Sequence, residues 1–164
     1  RVRRPVLVRI IGAGPLVDRV REACRMATVP MEYVGSVPMA SIARYLAETD
    51  VLVLPSITTD DGWGAVVSEA LLAGTAVITT PKVGASVCIR TPDFGEVVPA
   101  RSSNRLISAI ERVPERSGID QAARAKRREW ALGHLTGKAG AQYLVDIIEY
   151  VYGQSQRPEP FYQR

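Results

Sequence analysis

Residues 61–74 read DGWGAVVSEALLAG, an acid and a glycine turn followed by an almost wholly apolar helix with one carboxylate, Glu69. A helix that is apolar around most of its circumference is normally buried. Burying an ionised carboxylate is costly unless hydrogen-bond donors satisfy it. The sugar hydroxyls of a nucleotide would supply such donors, and the turn at residues 62–64 would direct backbone N–H groups at a phosphate. The stretch therefore predicts a nucleotide-binding site.

Strand and helix patterns alternate around this stretch, which predicts a parallel sheet with helices on both faces. The helix from Ala65 to Ala73 should end at Gly74, a natural left-handed cap. Five other helices are predicted. The first carries an apolar stripe from Leu16 to Ala27, the second begins near Pro38, and the third begins at Ser102 or Ser103. The fourth covers 119–131, and the fifth presents an apolar face between Tyr143 and Val151. The predicted strands are 6–11, 31–34, 51–54, 76–79 and 96–98.

These elements predict an α/β fold class, a Rossmann-like three-layer α/β/α domain with a mainly parallel sheet over residues 1–152. The remaining residues, 153–164, are polar and contain two prolines, which predicts a disordered tail. With 164 residues, 46% of them apolar and 23% charged, the chain has the composition of one soluble domain. No apolar run approaches the roughly 20 residues of a membrane span.

The residues that could hold a metal are few, and no metal site is predicted. Cys24 and Cys88 stand singly in apolar surroundings, which indicates reduced thiols in a cytoplasmic protein. His134 is the one histidine, so a Ser-His-Asp triad or a histidine metal cluster has little material. We expect His134 at the surface or at a helix end.

The net charge of +4 depends on two basic clusters. They are Arg1, Arg3 and Arg4, and Arg124, Lys126, Arg127 and Arg128. No aromatic interleaving or nucleic-acid motif accompanies them, so no nucleic-acid partner is predicted. The pattern favours a frayed terminus and a solvated helix face. The alternative is attraction to anionic lipid, worth about 1 kcal/mol per basic residue near such a surface, which would place the protein at the inner face of the membrane.

Three glycine-containing turns follow predicted strands: residues 12–15, 35–38 and 55–64. Ligands of open α/β sheets bind beyond the carboxyl ends of the strands, so we expect the three turns to face one crevice. Each candidate has a plainer interpretation. The first turn could use glycine only for backbone freedom. Asp61 could cap a helix, Trp63 could anchor a loop, and Glu69 could pair with an arginine.

A dinucleotide-binding oxidoreductase is a rival interpretation. Gly12 and Gly14 resemble the start of its fingerprint, and Glu32 lies 20 positions after Gly12, where an acid would bind a ribose. However, Val17 occupies the third glycine position, and Glu32 precedes the end of its strand. A non-catalytic interaction domain of the same fold, binding no nucleotide, is a further alternative.

The order of motifs over residues 6–98 resembles the C-terminal, nucleotide-sugar-binding domain of retaining glycosyltransferases of the GT-B fold. The likeness is to glycosyltransferase family four, also called glycosyl transferases group 1. The motifs are IIGAGPL at 10–16, YVGSV at 33–37, DVLVLPS at 50–56, GWG at 62–64 and EALLAGTAVI at 69–78. Their order and spacing are more specific than any one of them.

The resemblance implies transfer of a sugar from a UDP or GDP sugar to an acceptor hydroxyl, with retention and without a cofactor or metal. Family members carry two glutamates separated by seven residues, the spacing of Asp61 and Glu69 here. Glu69 would hold the ribose hydroxyls, and Asp61, one methylene shorter than glutamate, stands where the family contacts the donor sugar. The implied catalytic residues are Asp61 and Glu69. The implied donor-binding positions are Gly12, Gly14, Ser36, Val37, Ile42, Gly62, Trp63, Gly64, Ala65 and Glu69.

Family members also have a further strand and helix before the strand at Val6, and this further pair of elements carries two basic residues that neutralise the diphosphate. An acceptor-binding domain precedes those elements. The sequence contains none of these. The resemblance therefore implies half of an enzyme, whose partner is the missing N-terminal acceptor-binding domain. We expect the isolated half to bind nucleotide weakly and not to turn over.

Overall fold

The computed structural model describes residues 5–153 and 155–163. Contacts divide the chain into two units, residues 1–45 and residues 46–164. The strands are β1 (Val8–Ile11), β2 (Met31–Gly35), β3 (Val51–Leu54), β4 (Ala76–Thr79) and β5 (Gly95–Val97). The helices are α1 (Val17–Met26), α2 (Met39–Ala47), α3 (Ala65–Leu72), α4 (Ser103–Arg116), α5 (Gln121–His134) and α6 (Gly137–Val151), with a short 3-10 helix at Gly84–Cys88.

The first unit is built on a parallel pair of strands, β1 and β2, with Val8 opposite Met31. Helix α1 packs against β2. An acid, Asp18, stands in the first turn of α1 and Arg25 in its last turn, which suits the helix dipole at both ends. The carboxyl ends of the two strands are joined by a hydrogen bond from the Gly12 N–H to the Gly35 carbonyl, 2.9 Å long.

The second unit is built on a parallel sheet in the order β3-β4-β5. All four residues of the central strand β4 are buried, as expected for a parallel strand covered on both faces. Ala76 and Ile78 of β4 pack with Ala109 and Val113 of α4 in the core of this unit. Helix α3 packs against β3, β4 and α5.

Gly74 ends α3 as predicted, with a left-handed φ of +79°. A Cβ at this position would lie 2.5 Å from the Arg124 carbonyl oxygen of α5. Glycine is therefore required both by the turn and by the close approach of α5.

The predicted α/β class with parallel strands is confirmed, and the elements start and end close to their predicted positions. One capping prediction is wrong. Ser102 occupies the N-cap position of α4, but its side chain makes no capping hydrogen bond. The side chains that do cap are Asp120, which accepts from the Ala123 N–H, and Thr136, which accepts from the Ala139 N–H. Among the described residues, no helix is long and apolar enough to cross a membrane.

The basic cluster of α5 is not the solvated helix face that the charge pattern favoured. Arg127 is buried, with 1% of its surface exposed, and donates to four backbone carbonyls. Arg124 donates to the carbonyls of Ala47 and Thr49, each at 2.7 Å. Lys126 is exposed but paired with Asp93 at 2.6 Å. Arg124 and Arg127 are thus engaged within the protein, whereas Lys126 and Arg128 are exposed. The other cluster, Arg1, Arg3 and Arg4, lies outside the described residues.

The predicted apolar face of α6 is only partly covered. Tyr143 and Ile147 are half-buried, whereas Leu144, Ile148 and Val151 are exposed. Beyond α6, residues 155–163 make contacts that the polar composition of the tail did not predict. The ring of Phe161 packs near Trp63 and Tyr143. The division into a domain at 1–152 and a tail stays a prediction.

Candidate functional site

The turn between β3 and α3 is the centre of the candidate site. Its backbone is closed by hydrogen bonds from the Gly62 N–H to the Thr59 carbonyl, 3.0 Å, and from the Gly64 N–H to the Asp61 carbonyl, 3.1 Å. Gly64 has a φ of +74°, and a Cβ there would lie 2.3 Å from Cγ1 of Val83. No residue other than glycine fits this position without movement of its neighbours.

The 3-10 helix after β4 holds the same turn from outside. The Gly84 N–H donates to the Gly62 carbonyl at 2.9 Å, and the Ala85 N–H donates to the Trp63 carbonyl at 2.8 Å. The carbonyls of the turn are therefore used within the protein. Gly64 is the N-cap of α3 and brings no side-chain cap, so the first N–H groups of the helix are not occupied by a capping side chain. Such a helix start favours an anion.

Glu69 lies on α3 between buried neighbours, among them Val67, Ala70 and Leu71. Its side chain is half-buried. No hydrogen bond or ion pair joins its carboxylate to any described residue, so the arginine pairing considered from sequence is absent from this part of the chain. A half-buried carboxylate without an internal partner can accept hydrogen bonds from a ligand.

Asp61 is exposed on the turn, and its carboxylate has no hydrogen-bond or ion-pair partner among residues 5–153 and 155–163. The interpretation of Asp61 as the cap of α3 is wrong, because the N-cap is Gly64. Asp61 and Glu69 are thus both available to a ligand within the second unit. Ala65, the first residue of α3, is also exposed.

Trp63 is anchored as well as exposed. Its Nε1 donates to Oγ of Ser68 at 3.0 Å, and a Cβ on Gly84 would lie 3.1 Å from its Cε3. The tryptophan is nevertheless 41% exposed. The loop-anchor interpretation is therefore correct for one part of the side chain, and the rest of the indole remains accessible.

The other predicted positions lie in the first unit. Gly12 has a φ of +137°, and a Cβ on either Gly12 or Gly14 would meet no atom within 4 Å. Both border an open cleft of about 280 Å³, and Ser36 borders one of about 620 Å³ that Arg21 and Arg25 also line. Two further predicted positions, Val37 and Ile42, are half-buried and line neither cleft.

The acid of the rival dinucleotide fingerprint is already engaged. Oε2 of Glu32 accepts from Nε of Arg9 at 3.0 Å. Since an ion pair competes with ribose for this carboxylate, the geometry disfavours the oxidoreductase interpretation.

The remaining titratable groups lie in ordinary structural roles. Both cysteines are free, and burial raises the pKa of Cys88 to about 11, so its thiol is unreactive at neutral pH. His134 ends α5, where its ring stacks on Trp130 with centroids 4.5 Å apart. Among the described residues, no group of three or more His, Cys, Asp or Glu is placed to hold a metal ion.

Two contributors to the site were missed from the sequence. Gly84 supports the turn from twenty residues away, and nothing local in its surroundings marks it. Phe161 packs against Trp63, and a signal did exist, because Phe161 and Tyr162 are apolar aromatics in an otherwise polar tail.

The fold resembles that of a known enzyme. Over 90% of this chain and 39% of the other, it superimposes on sucrose-phosphate synthase from Thermosynechococcus elongatus with a TM-score of 0.68 and 20% sequence identity. At this identity the likeness establishes the fold alone. The chain thus has the fold of one domain of a GT-B enzyme.

The sequence comparisons narrow this class. The family described as Glycosyl transferases group 1 matches residues 1–115. The chain belongs to that family, which confirms the resemblance drawn from the motifs. In two strains of Mycobacterium tuberculosis, a GDP-mannose-dependent alpha-(1-6)-phosphatidylinositol monomannoside mannosyltransferase is 27% identical over 146 residues, or 85% of this chain. The chain spans 38% of the length of these relatives.

Proposed function

We propose that the chain is the donor-binding part of a retaining glycosyltransferase, which transfers a sugar from a nucleoside diphosphate sugar to an acceptor hydroxyl. Family membership supports glycosyl transfer in general. The donor, the stereochemistry and the residues involved belong to the proposal.

The observation that carries the proposal is the unpaired carboxylate of Glu69. It lies on a helix whose neighbouring side chains are buried, one turn from the helix start that Gly64 leaves without a side-chain cap. A nucleotide suits both features at once. Its ribose hydroxyls can donate to the carboxylate, and its phosphates can accept from the N–H groups at the helix start. No other ligand class considered from the sequence uses both.

The departing diphosphate must be stabilised where its negative charge develops. In the described residues, the start of α3 supplies N–H groups for this purpose. Cations that complete the neutralisation are proposed to come from residues outside this chain, in the strand and helix that precede Val6 in family members. Asp61, exposed on the turn, is proposed to accept from the hydroxyls of the transferred sugar. Transfer by the chain alone is therefore not expected.

The relatives' name suggests the first donor to test. Those proteins are described as GDP-mannose-dependent and as acting on a phosphatidylinositol mannoside. We propose GDP-mannose as the donor to try first, with UDP-glucose as the comparison. An acceptor carried on a lipid would bring the whole enzyme to a membrane surface, with a cytoplasmic catalytic side.

The proposal is tested by calorimetric titration of the 164-residue chain with GDP-mannose and with UDP-glucose. Glu69→Gln keeps the shape of the side chain but removes the charge that accepts the ribose hydroxyls. Loss of charge-assisted hydrogen bonds predicts a 10- to 100-fold weaker affinity, on the order of the free energy of one or two such bonds. Glu115→Gln is the matched control, because Glu115 is an exposed glutamate of α4 that makes no contact with the turn.

Three results would count against the proposal. Equal affinities of the wild type and Glu69→Gln would remove Glu69 from the site. If the wild-type chain is correctly folded but gives no binding heat with either nucleotide sugar, the proposal that it binds the donor is wrong. Equal weakening by Glu115→Gln would mean that the effect is one of net charge.

A further inference from the structure

The end of the chain returns to the candidate site. The ring of Phe161 lies with its centroid 5.9 Å from that of Trp63, at an interplanar angle of 52°. On another side it lies 6.0 Å from the ring of Tyr143 on α6, at 64°. Tilted pairs at these distances are favourable arrangements of aromatic rings. Phe161 thus connects the exposed indole of the turn to α6.

The backbone around Phe161 is fixed at two points. Nη1 of Arg90 donates to the Tyr162 carbonyl at 3.0 Å, and the Gln163 N–H donates to the Pro160 carbonyl at 2.7 Å. Arg90 follows the 3-10 helix Gly84–Cys88, whose first N–H groups hold the carbonyls of Gly62 and Trp63. The segment and the turn are therefore attached to the same short stretch of chain.

The composition of the segment suits a docked state. Pro158 and Pro160 restrict the backbone before docking, so less conformational entropy is lost when the segment is ordered. Phe161 and Tyr162 are half-buried, whereas Tyr152, which precedes the segment, is 76% exposed. The apolar contact is thus confined to the residues that reach the turn.

We propose that residues 158–163 form a C-terminal strap that braces Trp63 and thereby fixes the turn at Gly62–Gly64. Phe161 acts as a positioning residue, through Trp63, rather than by touching the donor. The consequence for donor binding rests on the proposed function. A braced turn holds the start of α3 and its N–H groups in one arrangement, so release of the strap lowers donor affinity instead of opening access to the site.

The strap is tested first without any ligand, by the fluorescence of Trp63. The background is Trp130→Phe, which replaces the indole with a smaller aromatic ring and leaves Trp63 as the one tryptophan among the 164 residues. Phe161→Ala removes the ring pairs with Trp63 and Tyr143, so the ratio of docked to undocked strap should fall at least by the roughly 2- to 10-fold expected for a single pair. We expect a red-shifted emission and stronger quenching by acrylamide. Phe161→Tyr should restore the wild-type signal, and Tyr152→Ala is the matched control.

Arg90→Ala is a second variant, because it loosens the strap while leaving every aromatic ring in place. It should shift the Trp63 signal in the same direction. An unchanged emission and quenching constant in both Phe161→Ala and Arg90→Ala would overturn the strap. An equal change in Tyr152→Ala would also overturn it, since the effect would then not depend on the contact with Trp63.

Titration of the same variants with GDP-mannose separates the strap from the proposed function. A weaker affinity of Phe161→Ala for GDP-mannose supports the bracing role. An unchanged affinity overturns it. A tighter affinity also overturns it, because the segment would then cover the site in the wild type. If the wild type binds no nucleotide sugar, the proposed function fails, and the strap is judged by the Trp63 signal alone.

Discussion

Arg127 offers the sharpest test of how the second unit is held together. Its side chain is 1% exposed. Its Nε donates to the Gly74 carbonyl at 2.8 Å, Nη1 donates to the carbonyls of Asp93 and Ser117 at 2.9 and 2.8 Å, and Nη2 donates to the Gly118 carbonyl at 2.9 Å. Gly74 follows α3, and Ser117 and Gly118 follow α4. One guanidinium therefore satisfies carbonyls at the C-terminal ends of two helices, where a cation is favoured.

Arg127→Met retains much of the side-chain volume and removes every donor. Hydrogen bonds to a charged group contribute about 1.5–3 kcal/mol each. Four of them cannot simply be added, because the desolvation of the buried guanidinium already opposes them at several kcal/mol. Desolvation lowers the pKa of Arg127, and the positive charge of Arg124 adds to this direction. Arg127→Met leaves four backbone carbonyls without this donor, and an unsatisfied buried acceptor costs about 1–3 kcal/mol. Because relief of the desolvation offsets part of this cost, we expect a loss of about 3–5 kcal/mol in unfolding free energy.

Urea unfolding followed by circular dichroism measures this loss. A drop of this size is a large share of the roughly 5–15 kcal/mol that stabilises a typical domain. Arg127→Lys keeps the charge but has one donor group in place of a planar fork, so we expect an intermediate loss. Arg128→Met is the matched control, because Arg128 is the next residue of α5 and is exposed. An unfolding free energy of Arg127→Met within about 0.5 kcal/mol of the Arg128→Met value would refute this role of Arg127.

Three smaller predictions concern other buried positions. In urea unfolding, Gly64→Ala should destabilise by more than the ~1–2 kcal/mol cost of a left-handed residue, because its Cβ would lie 2.3 Å from Val83. Gly140→Ala in α6, where the added Cβ meets nothing within 4 Å, should stabilise in the same assay. Thr75→Val should cost about 1–2 kcal/mol in urea unfolding, since the buried hydroxyl donates to two backbone carbonyls at 2.7 and 3.1 Å, and an unchanged midpoint would contradict this. Burial raises the pKa of Cys88 from its ordinary value of 9.0 to about 11 in the folded protein. The unfolded chain therefore loses this proton at a lower pH, and the unfolding free energy should fall as pH rises between those two values. Cys88→Ala should show a flatter pH profile over that range.

The order of the elements was predictable because each depends on local chemistry. Continuous apolar runs such as residues 51–54 predict strands covered on both faces, and the structure has β3 at Val51–Leu54. The end of α3 followed from Gly74 alone, through the left-handed conformation that glycine adopts without strain. The cap of α4 failed because a serine at the right position does not guarantee a bond. The side chain of Ser102 is in place but makes no capping contact.

The arginines of α5 were not predictable, because their partners lie far away in sequence. Arg127 bonds to the Gly74 carbonyl, 53 positions earlier, and Arg124 bonds to the Thr49 carbonyl, 75 positions earlier. In the sequence both arginines stand in a run of basic residues, and such a run is equally compatible with a solvated helix face. Only the packing of α5 on α3 distinguishes the two that turn inward from Arg128, which stays exposed.

The candidate site also combines features set by the local sequence with features set by distant residues. The glycine turn and the acid on the apolar helix are local features, so the sequence alone proposes Asp61, Trp63 and Glu69, whose roles stay predictions. The supports of the turn are not local. Gly84 is placed by the 3-10 helix after β4, and Phe161 is placed by a tail whose polar composition predicts disorder. Composition averages over a segment, whereas docking depends on the two or three residues that make contact.

The identity of residue 69 is hard to explain by stability. Its neighbours on α3 are buried apolar residues, and an apolar side chain there would avoid the cost of partly desolvating a charge. Structural carboxylates elsewhere in the chain have partners: Glu96 accepts from Arg112 at 2.7 Å, and Asp93 accepts from Lys126 at 2.6 Å. Glu69 has none among the described residues, although it is less exposed than a surface acid such as Glu115. A half-buried charge that the fold does not satisfy is what a site retains for a ligand, because the hydrogen bonds missing in the free protein are then formed on binding.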